Sequence, residues 1–303
     1  MPLIGTVFRL YSRIPLIAFL LLLASYFGGT KAALLLHATP LSNFNHWNFQ
    51  GPLMKTFLVS STVTFVPGNY EGFINHLAKS DRVHGLILVE NRDWKIAAKA
   101  LLLIISLAAP RMGMHLLKNY FGKSNARKKE MFEKQGKAFR IVSDINSVET
   151  LNFIQKENVE LIVNARTRSF FKKNLLKTPR YGCINIHHGL LPEQRGLMCD
   201  FWAHMEKTSF GFSIHQMTSK LDDGPILHVG EVKTSPSNYM TSIFEGSLIE
   251  SQAIESLLKD LEKNKASENI FSGLENIKTE KTKYRSNPGL MDFYKLQWRG
   301  TKI

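Results

Sequence analysis

From residue 54 onward, runs of branched and aromatic residues alternate with stretches whose apolar positions recur every three or four residues. Strand-like runs fall at 56–66, 83–90, 138–143, 159–164, 183–187, 210–217 and 226–232. Helical periodicity is found near 96–121, 146–157, 170–177, 197–206 and 240–263. Alternation of this kind predicts a doubly wound α/β domain: a mostly parallel, twisted sheet with helices on both faces. Asn146 followed by Glu149 marks one helix start. In the last long helix, Phe244, Leu248, Ile254, Leu257, Leu258 and Leu261 form one apolar stripe that is expected to face the sheet. The stretch 96–121 is the most apolar in the body of the chain. Pro110 breaks it into halves too short to cross a bilayer, so a buried or surface-docking helical hairpin is expected there.

Residues 1–53 follow a different pattern. Arg9 and Arg13 precede the apolar run 14–27, which Gly28 and Gly29 close. The run is shorter than a spanning helix requires and reads as an anchor, a targeting segment or an interfacial helix; Met54 is an alternative start. Three parts follow: the apolar segment 1–53, a catalytic domain over 54–265 and a C-terminal extension over 266–303.

Charge adds a constraint on partners. Lys and Arg number 39 against 25 Asp and Glu, a net of +14, which favours an anionic partner. The surplus is uneven: no acid precedes Glu71, and Lys118 to Arg140 is crowded with basic residues. That run reads as a solvated helix face, or else as a contact for phosphate or lipid headgroups. Two cysteines exclude a disulfide framework, and no C-x-x-C pair is present for a thiolate zinc site.

The chemistry concentrates in 184–227. On a strand, i and i+2 share a face, so Asn185 and His187 project together at the end of the run 183–187, while His188 points elsewhere. Gly189, Pro192 and Gly196 shape the following loop, and Asp222-Asp223-Gly224 forms a turn before the next strand. An amide, an imidazole and a carboxylate suit addition to a carbonyl. The first two donate to the oxygen that becomes negative, and the carboxylate orients the ring and helps move the proton. No Ser or Cys nucleophile is suitably placed; Cys183 shares the face of Asn185 but lies deeper and reads as a small core residue. The histidines at 187, 188, 215 and 228 could be imagined with Asp222 as a metal site. Adjacent strand residues face opposite ways, however, so no metal is expected.

Four elements stand in order here: Asn185-x-His187, Leu190-Leu191-Pro192 with Arg195-Gly196, Gly211 to His215, and Asp222 to Gly224. Together they resemble the N10-formyltetrahydrofolate-dependent formyltransferase family, which includes glycinamide ribonucleotide transformylase, methionyl-tRNA formyltransferase and the nucleotide-sugar N-formyltransferases. The resemblance runs from about 56 to 264 and is sharp from 159. It implies a Rossmann-like formyltransferase fold, N10-formyltetrahydrofolate as donor and a small-molecule amine as acceptor. It further implies that Asn185 and His187 stabilise the formyl oxyanion and that Asp222 orients His187 and assists proton transfer. The donor is expected at loops near 140–145, 166–170 and 218–224, with Arg166, Thr167 and Gly224 as its contacts, and His215 is read as structural. His188-Gly189 departs from the commoner Pro-Ser or Gly-Ser, and Phe201-Trp202 resembles the sugar-modifying branches.

The resulting expectation is transfer of a formyl group to a primary amine of a small anionic acceptor, an amino sugar first of all. Formyltetrahydrofolate hydrolysis and a non-catalytic, membrane-associated folate-binding role are the alternatives. About 40 residues follow the last helix, too few for the β-barrel by which methionyl-tRNA formyltransferase grips tRNA, so no nucleic-acid partner is expected. A folate-using domain belongs on the cytoplasmic side, with membrane contact through 14–27 or 96–121 as a further expectation. The tail from Tyr284 to Leu296 reads as a strap over the domain.

Overall fold

The computed structural model describes residues 53–233, 237–265 and 270–303. The apolar run 14–27 lies outside them. Seven strands form the main sheet: β1 (Thr56–Ser61), β2 (Val83–Val89), β3 (Ala138–Val142), β4 (Leu161–Ala165), β5 (Cys183–His187), β7 (Gly211–Gln216) and β8 (Ile226–Glu231). Their order is β3-β2-β1-β4-β5-β7-β8. The first five run parallel, and β5–β7 and β7–β8 pair antiparallel. The near-continuous apolar runs of β1, β2 and β4 are buried on both faces, as parallel strands covered by helices require.

The helices are α1 (Glu71–Ala78), α2 (Trp94–Ile105), α3 (Pro110–Phe121), α4 (Ser124–Lys134), α5 (Val148–Lys156), α6 (Lys173–Lys177), α7 (Cys199–Glu206), α8 (Tyr239–Lys263) and α9 (Leu290–Trp298). A short parallel pair joins β6 (Gln194–Gly196) to β9 (Lys283–Arg285). One core lies under α1, α3, α4, α7, α8 and α9. The other lies under α5 and α6 and contains Phe57, Val59, Ile87, Ile154, Ile162, Phe171 and Cys183. Cys183 is buried as expected, and burial pushes its thiol upward.

Several expectations need correction. The run 56–66 leaves the sheet at Ser61, because polar side chains replace its ladder partners. Asn91 accepts from the Val63 N–H, Asn69 accepts from the Thr64 N–H, and Asn119 donates to the carbonyls of Thr64 and Val66. Helix α5 is capped by Ser147, whose Oγ accepts from the Thr150 N–H, and not by Asn146. Asn146 instead ties Phe170 and Lys172 to the start of that helix. Along α8 the buried face runs through Tyr239, Ile243, Glu250, Ile254, Leu258 and Leu261, while Phe244 is exposed. The basic run spans the end of α3, all of α4 and the start of β3, and is not uniformly solvated: Lys128 is fully buried on α4.

Pro110 opens α3 and the 96–121 stretch is a hairpin, α2 against α3. The crossing is tight at Gly113, where a Cβ would meet the Ala100 carbonyl oxygen at 2.6 Å. The tail contributes to the main core through Ile270, Phe271, Phe293, Leu296 and Ile303.

Candidate active site

Three consecutive strands deliver the polar side chains. Asn164 near the end of β4, Asn185 and His187 on β5, and His215 on β7 share one sheet face, because β4 and β5 pair Asn164 with Asn185 and β5 and β7 pair Asn185 with His215. The antiparallel entry of β7 is what sets an imidazole beside the Asn185 amide.

A one-way hydrogen-bond chain fixes that amide. The Thr167 hydroxyl donates to Asn164 Oδ1 (2.7 Å), and Asn164 Nδ2 donates to Asn185 Oδ1 (2.8 Å). Asn185 Nδ2 then donates to His215 Nε2 (3.1 Å), while His215 Nδ1–H donates to the Gln216 carbonyl (2.9 Å). His215 serves as acceptor because it is neutral: burial and the nearby charge of His187 hold its pKa down at about 4. Asn185 is half-buried, and its second amide hydrogen is not used by this chain. His215 thereby sets which end of the Asn185 amide carries the unused N–H.

His187 is held from both sides. Nδ1 lies 3.4 Å from Asp222 Oδ1, and Nε2 lies 2.7 Å from the Gln194 carbonyl oxygen. A carbonyl only accepts, so Nε2 bears hydrogen, and the carboxylate calls for a second hydrogen on Nδ1; the ring is an imidazolium. Burial works against that charge. The hydrogen bond and charge of Asp222, aided by Cys199 with Sγ 3.8 Å from Nε2, outweigh it and raise the pKa to about 10. Burial also opposes ionisation of Asp222, but His187, His215 and the Gly196 N–H bring its pKa down to about 2. The pair is therefore charged across neutral pH.

The expectation that His187 presents a free N–H to a substrate needs amendment, because the loop 189–196 folds back and the Gln194 carbonyl occupies that hydrogen. This fold-back also accounts for the glycine after His188. A Cβ at Gly189 would lie 2.8 Å from both Cys199 Cβ and His187 Nε2, and 2.9 Å from the Gln194 oxygen.

Asp222 adopts a left-handed conformation, φ 49°. Its backbone is clamped by Arg195, which is fully buried and donates to the carbonyls of Pro192 and Asp222. Asn276 donates to the Asp222 and Gly224 carbonyls and accepts from Arg195 at 2.6 Å. Gly224 is thus taken up by packing: a Cβ there would meet the Gln216 carbonyl oxygen at 1.9 Å.

Arg166 and His188 lie apart from this constellation. Arg166, also left-handed at φ 59°, turns its side chain toward α8, 3.4 Å from Glu250 and over the Tyr70 and Phe65 rings. His188 lies 3.3 Å from the same carboxylate, and the Tyr70 hydroxyl donates to it at 2.5 Å. Burial opposes the Glu250 charge, but His188 and Arg166 offset it and hold the pKa at about 2. Of the residues expected to hold the donor, Thr167 adjoins the Asn185 chain, whereas the Arg166 side chain and Gly224 are otherwise engaged.

Sequence reasoning missed Asn164, Gln194 and Asn276. Asn164 is a polar residue in the otherwise apolar strand LIVNA, which was a usable signal; Asn276 makes contacts no local pattern encodes. A cavity of about 410 Å³ lies at the strand ends, lined by Glu90, Asn91, Arg92, Asp93, Lys95, Ile96, Lys99 and Arg168. Among the described residues, no group of three or more His, Cys, Asp and Glu is placed to hold a metal ion.

Residues 115–248 match the formyl transferase family model. The methionyl-tRNA formyltransferase of Bacillus cytotoxicus is 36% identical over 131 residues, covering 41% of this chain and 42% of its own length. The chain thus spans less than half of that curated relative. In fold, it is similar to glycinamide ribonucleotide transformylase 1 of Symbiobacterium toebii, with 15% identity over 72% of this chain and 91% of that one (TM-score 0.50). It is likewise similar to phosphoribosylglycinamide formyltransferase of Anaplasma phagocytophilum, with 15% identity over 78% and 100% (TM-score 0.50). All four sequence motifs fall inside the segment 115–248 that matches this family model.

Proposed function

We propose that the chain transfers a formyl group from N10-formyltetrahydrofolate to a primary amine of a small anionic acceptor, an amino sugar being the class favoured. The observation that carries this reading is the Asn185–His187–Asp222 arrangement, with a fixed amide hydrogen beside a charged imidazolium–carboxylate pair. The new bond joins the acceptor nitrogen to the formyl carbon, the carbon–N10 bond breaks, and negative charge develops on the formyl oxygen in between. Asn185 donates its second amide hydrogen to that oxygen, and such a preplaced donor is worth about 3–4 kcal/mol. His187 supplies positive charge and, once Gln194 yields, a second donor. Being already protonated, it does not serve as the base. Asp222 receives the proton lost by the amine; a carboxylate with a pKa of about 2 is a weak base, so it passes the proton on through water to N10, which leaves with the electron pair of the broken carbon–N10 bond.

Thr167 and the backbone of the loops at 140–145, 166–170 and 218–224 are assigned to the donor. The cavity lined by Arg92, Lys95, Lys99 and Arg168 supports an anionic acceptor. It lies three strands from Asn185, roughly 14 Å at the usual strand spacing, within reach of a phosphate-bearing sugar whose amine meets the formyl carbon. A cytoplasmic-side location follows from use of this donor, and the catalytic unit is taken as 54–265, with 266–303 a C-terminal extension whose residues Ile270, Phe271, Phe293, Leu296 and Ile303 join its core.

The test is release of tetrahydrofolate from the formylated donor in the presence of nucleotide-linked amino sugars, glycinamide ribonucleotide or methionyl-tRNA. Turnover with an amino sugar, lost in His187→Ala and Asp222→Asn, is the expected result. Turnover with methionyl-tRNA alone would replace the acceptor assignment. Turnover with water alone would make the chain a hydrolase, and donor binding without turnover would make it a binding protein.

A further inference from the structure

Helix α2 has apolar residues on both sides. Ile96 and Ala100 are buried, and Ala100, Leu103 and Ile104 meet α3 around Gly113. The opposite side carries Trp94, Ala98, Leu101 and Ile105, spaced i, i+4, i+7 and i+11, with Leu102 adjoining. These residues face solvent: Trp94 is 70% and Ile105 78% exposed, and Leu101 and Leu102 are about half exposed. Leu107 in the following turn is also exposed, as is Trp298, beside the Gln297 amide that holds the Leu107 and Ala108 carbonyls. A surface helix that serves only its own fold turns charged residues outward; α2 turns outward a tryptophan, two leucines and an isoleucine.

Basic residues outnumber acidic ones around this face, where Asp93 caps the helix and Glu90 stands close by. From Trp94 through Lys129 the chain carries eight Lys and Arg and no Asp or Glu. Lys95 and Lys99 are exposed along the flank of the apolar stripe. Among the described residues, no helix is long and apolar enough to cross a membrane, so α2 lies on a surface and does not span one. We infer that the outward face of α2 is a docking surface for an anionic lipid bilayer, with Trp94, Leu101, Leu102 and Ile105 entering the headgroup–acyl boundary and Lys95 and Lys99 meeting lipid phosphates. An in-plane helix with a wide apolar face and basic flanks is the chemistry such an interface recognises; aliphatic burial and basic attraction each add to binding.

The test uses the full chain, so that residues 14–27 are present and any contribution from them is read separately. A cysteine placed by Ile105→Cys is labelled with an environment-sensitive fluorophore; Cys183 and Cys199 are buried. A control label at Lys156→Cys, exposed on α5, reports the other side of the sheet. Vesicles of phosphatidylcholine with phosphatidylserine should shift the emission of the label at 105 to the blue, leave that at 156 unchanged, and lose the effect at high salt. Leu101→Glu with Ile105→Glu should weaken vesicle binding at least tenfold. Should the labelled variant not fold, quenching of Trp94 in the parent by brominated lipids, compared with Trp94→Phe, gives the same reading. Vesicle binding with no change at position 105 would overturn the inference by placing contact elsewhere. A blue shift that follows protein concentration without vesicles would overturn it in favour of a second copy of this chain.

Discussion

Lys128 is a charged residue that the fold buries fully on α4, where its Nζ has no hydrogen-bond partner. Burial pushes its pKa from 10.5 down to about 7, with Glu71 opposing the fall only in part. At pH 7 the unfolded chain carries a protonated lysine, and the folded chain must surrender much of that proton. Displacing the titration from 10.5 to about 7 corresponds to roughly 4–5 kcal/mol against folding, at about 1.36 kcal/mol per pH unit. The sign is fixed by linkage: above pH 10.5 the lysine is neutral in both states and costs nothing. Between pH 10.5 and 7 the unfolded state binds the extra proton, so the cost grows as pH falls. Below pH 7 both states are protonated and the cost is constant. Lys128→Met, which keeps the volume and removes the charge, should therefore stabilise the protein by about 4–5 kcal/mol at pH 6.5, about 2–3 at pH 8.5 and under about 1 at pH 10. Urea unfolding of both proteins at the three pH values measures this. A variant no more stable than the parent, or a gain that ignores pH, would refute the assignment of a desolvated, unpaired ammonium.

Asp222→Asn should drop the His187 titration from about 10 to near or below 6.5, observed by NMR of the ring. Formyl transfer should fall roughly a hundredfold or more and become pH-dependent near neutrality, where the parent has no such limb. His215→Phe removes the acceptor that orients Asn185; kcat should fall by roughly tenfold or more with the unfolding midpoint little changed, and a preserved kcat would show that the orientation is set elsewhere. Gly189→Ala places a methyl group within 2.8–2.9 Å of His187, Cys199 and Gln194, and should destabilise the fold by about 1–3 kcal/mol, read as a lowered Tm.

The main sheet was legible because its strands are buried runs of branched residues, and seven runs became seven strands. Strand β6, strand β9 and helix α9 were not, since three-residue pairings and a tail docking on the core depend on distant partners. Helix α4 illustrates the limit: SNARKKEMFEK reads as a solvated charge run, yet one of its lysines points inward. For the candidate site, period-two spacing sufficed to put Asn185 and His187 on one face and His188 on the other. The Gln194 carbonyl at the His187 ring could not be read, because it depends on how tightly the 189–196 loop turns back. Arg166 was expected among the donor's contacts because the family resemblance implies it. A left-handed backbone at that residue and a buried glutamate from α8 decide otherwise.

The relay that runs from the Thr167 hydroxyl to the Gln216 carbonyl has a polarity, and every member spends a donor in the same direction. Reversing Asn185 would set two N–H groups against each other at Asn164 and leave the neutral ring of His215 facing an oxygen lone pair. The unused N–H of Asn185 therefore discriminates by hydrogen-bond sense: an oxygen that accepts is welcomed there and a group that only donates is turned away.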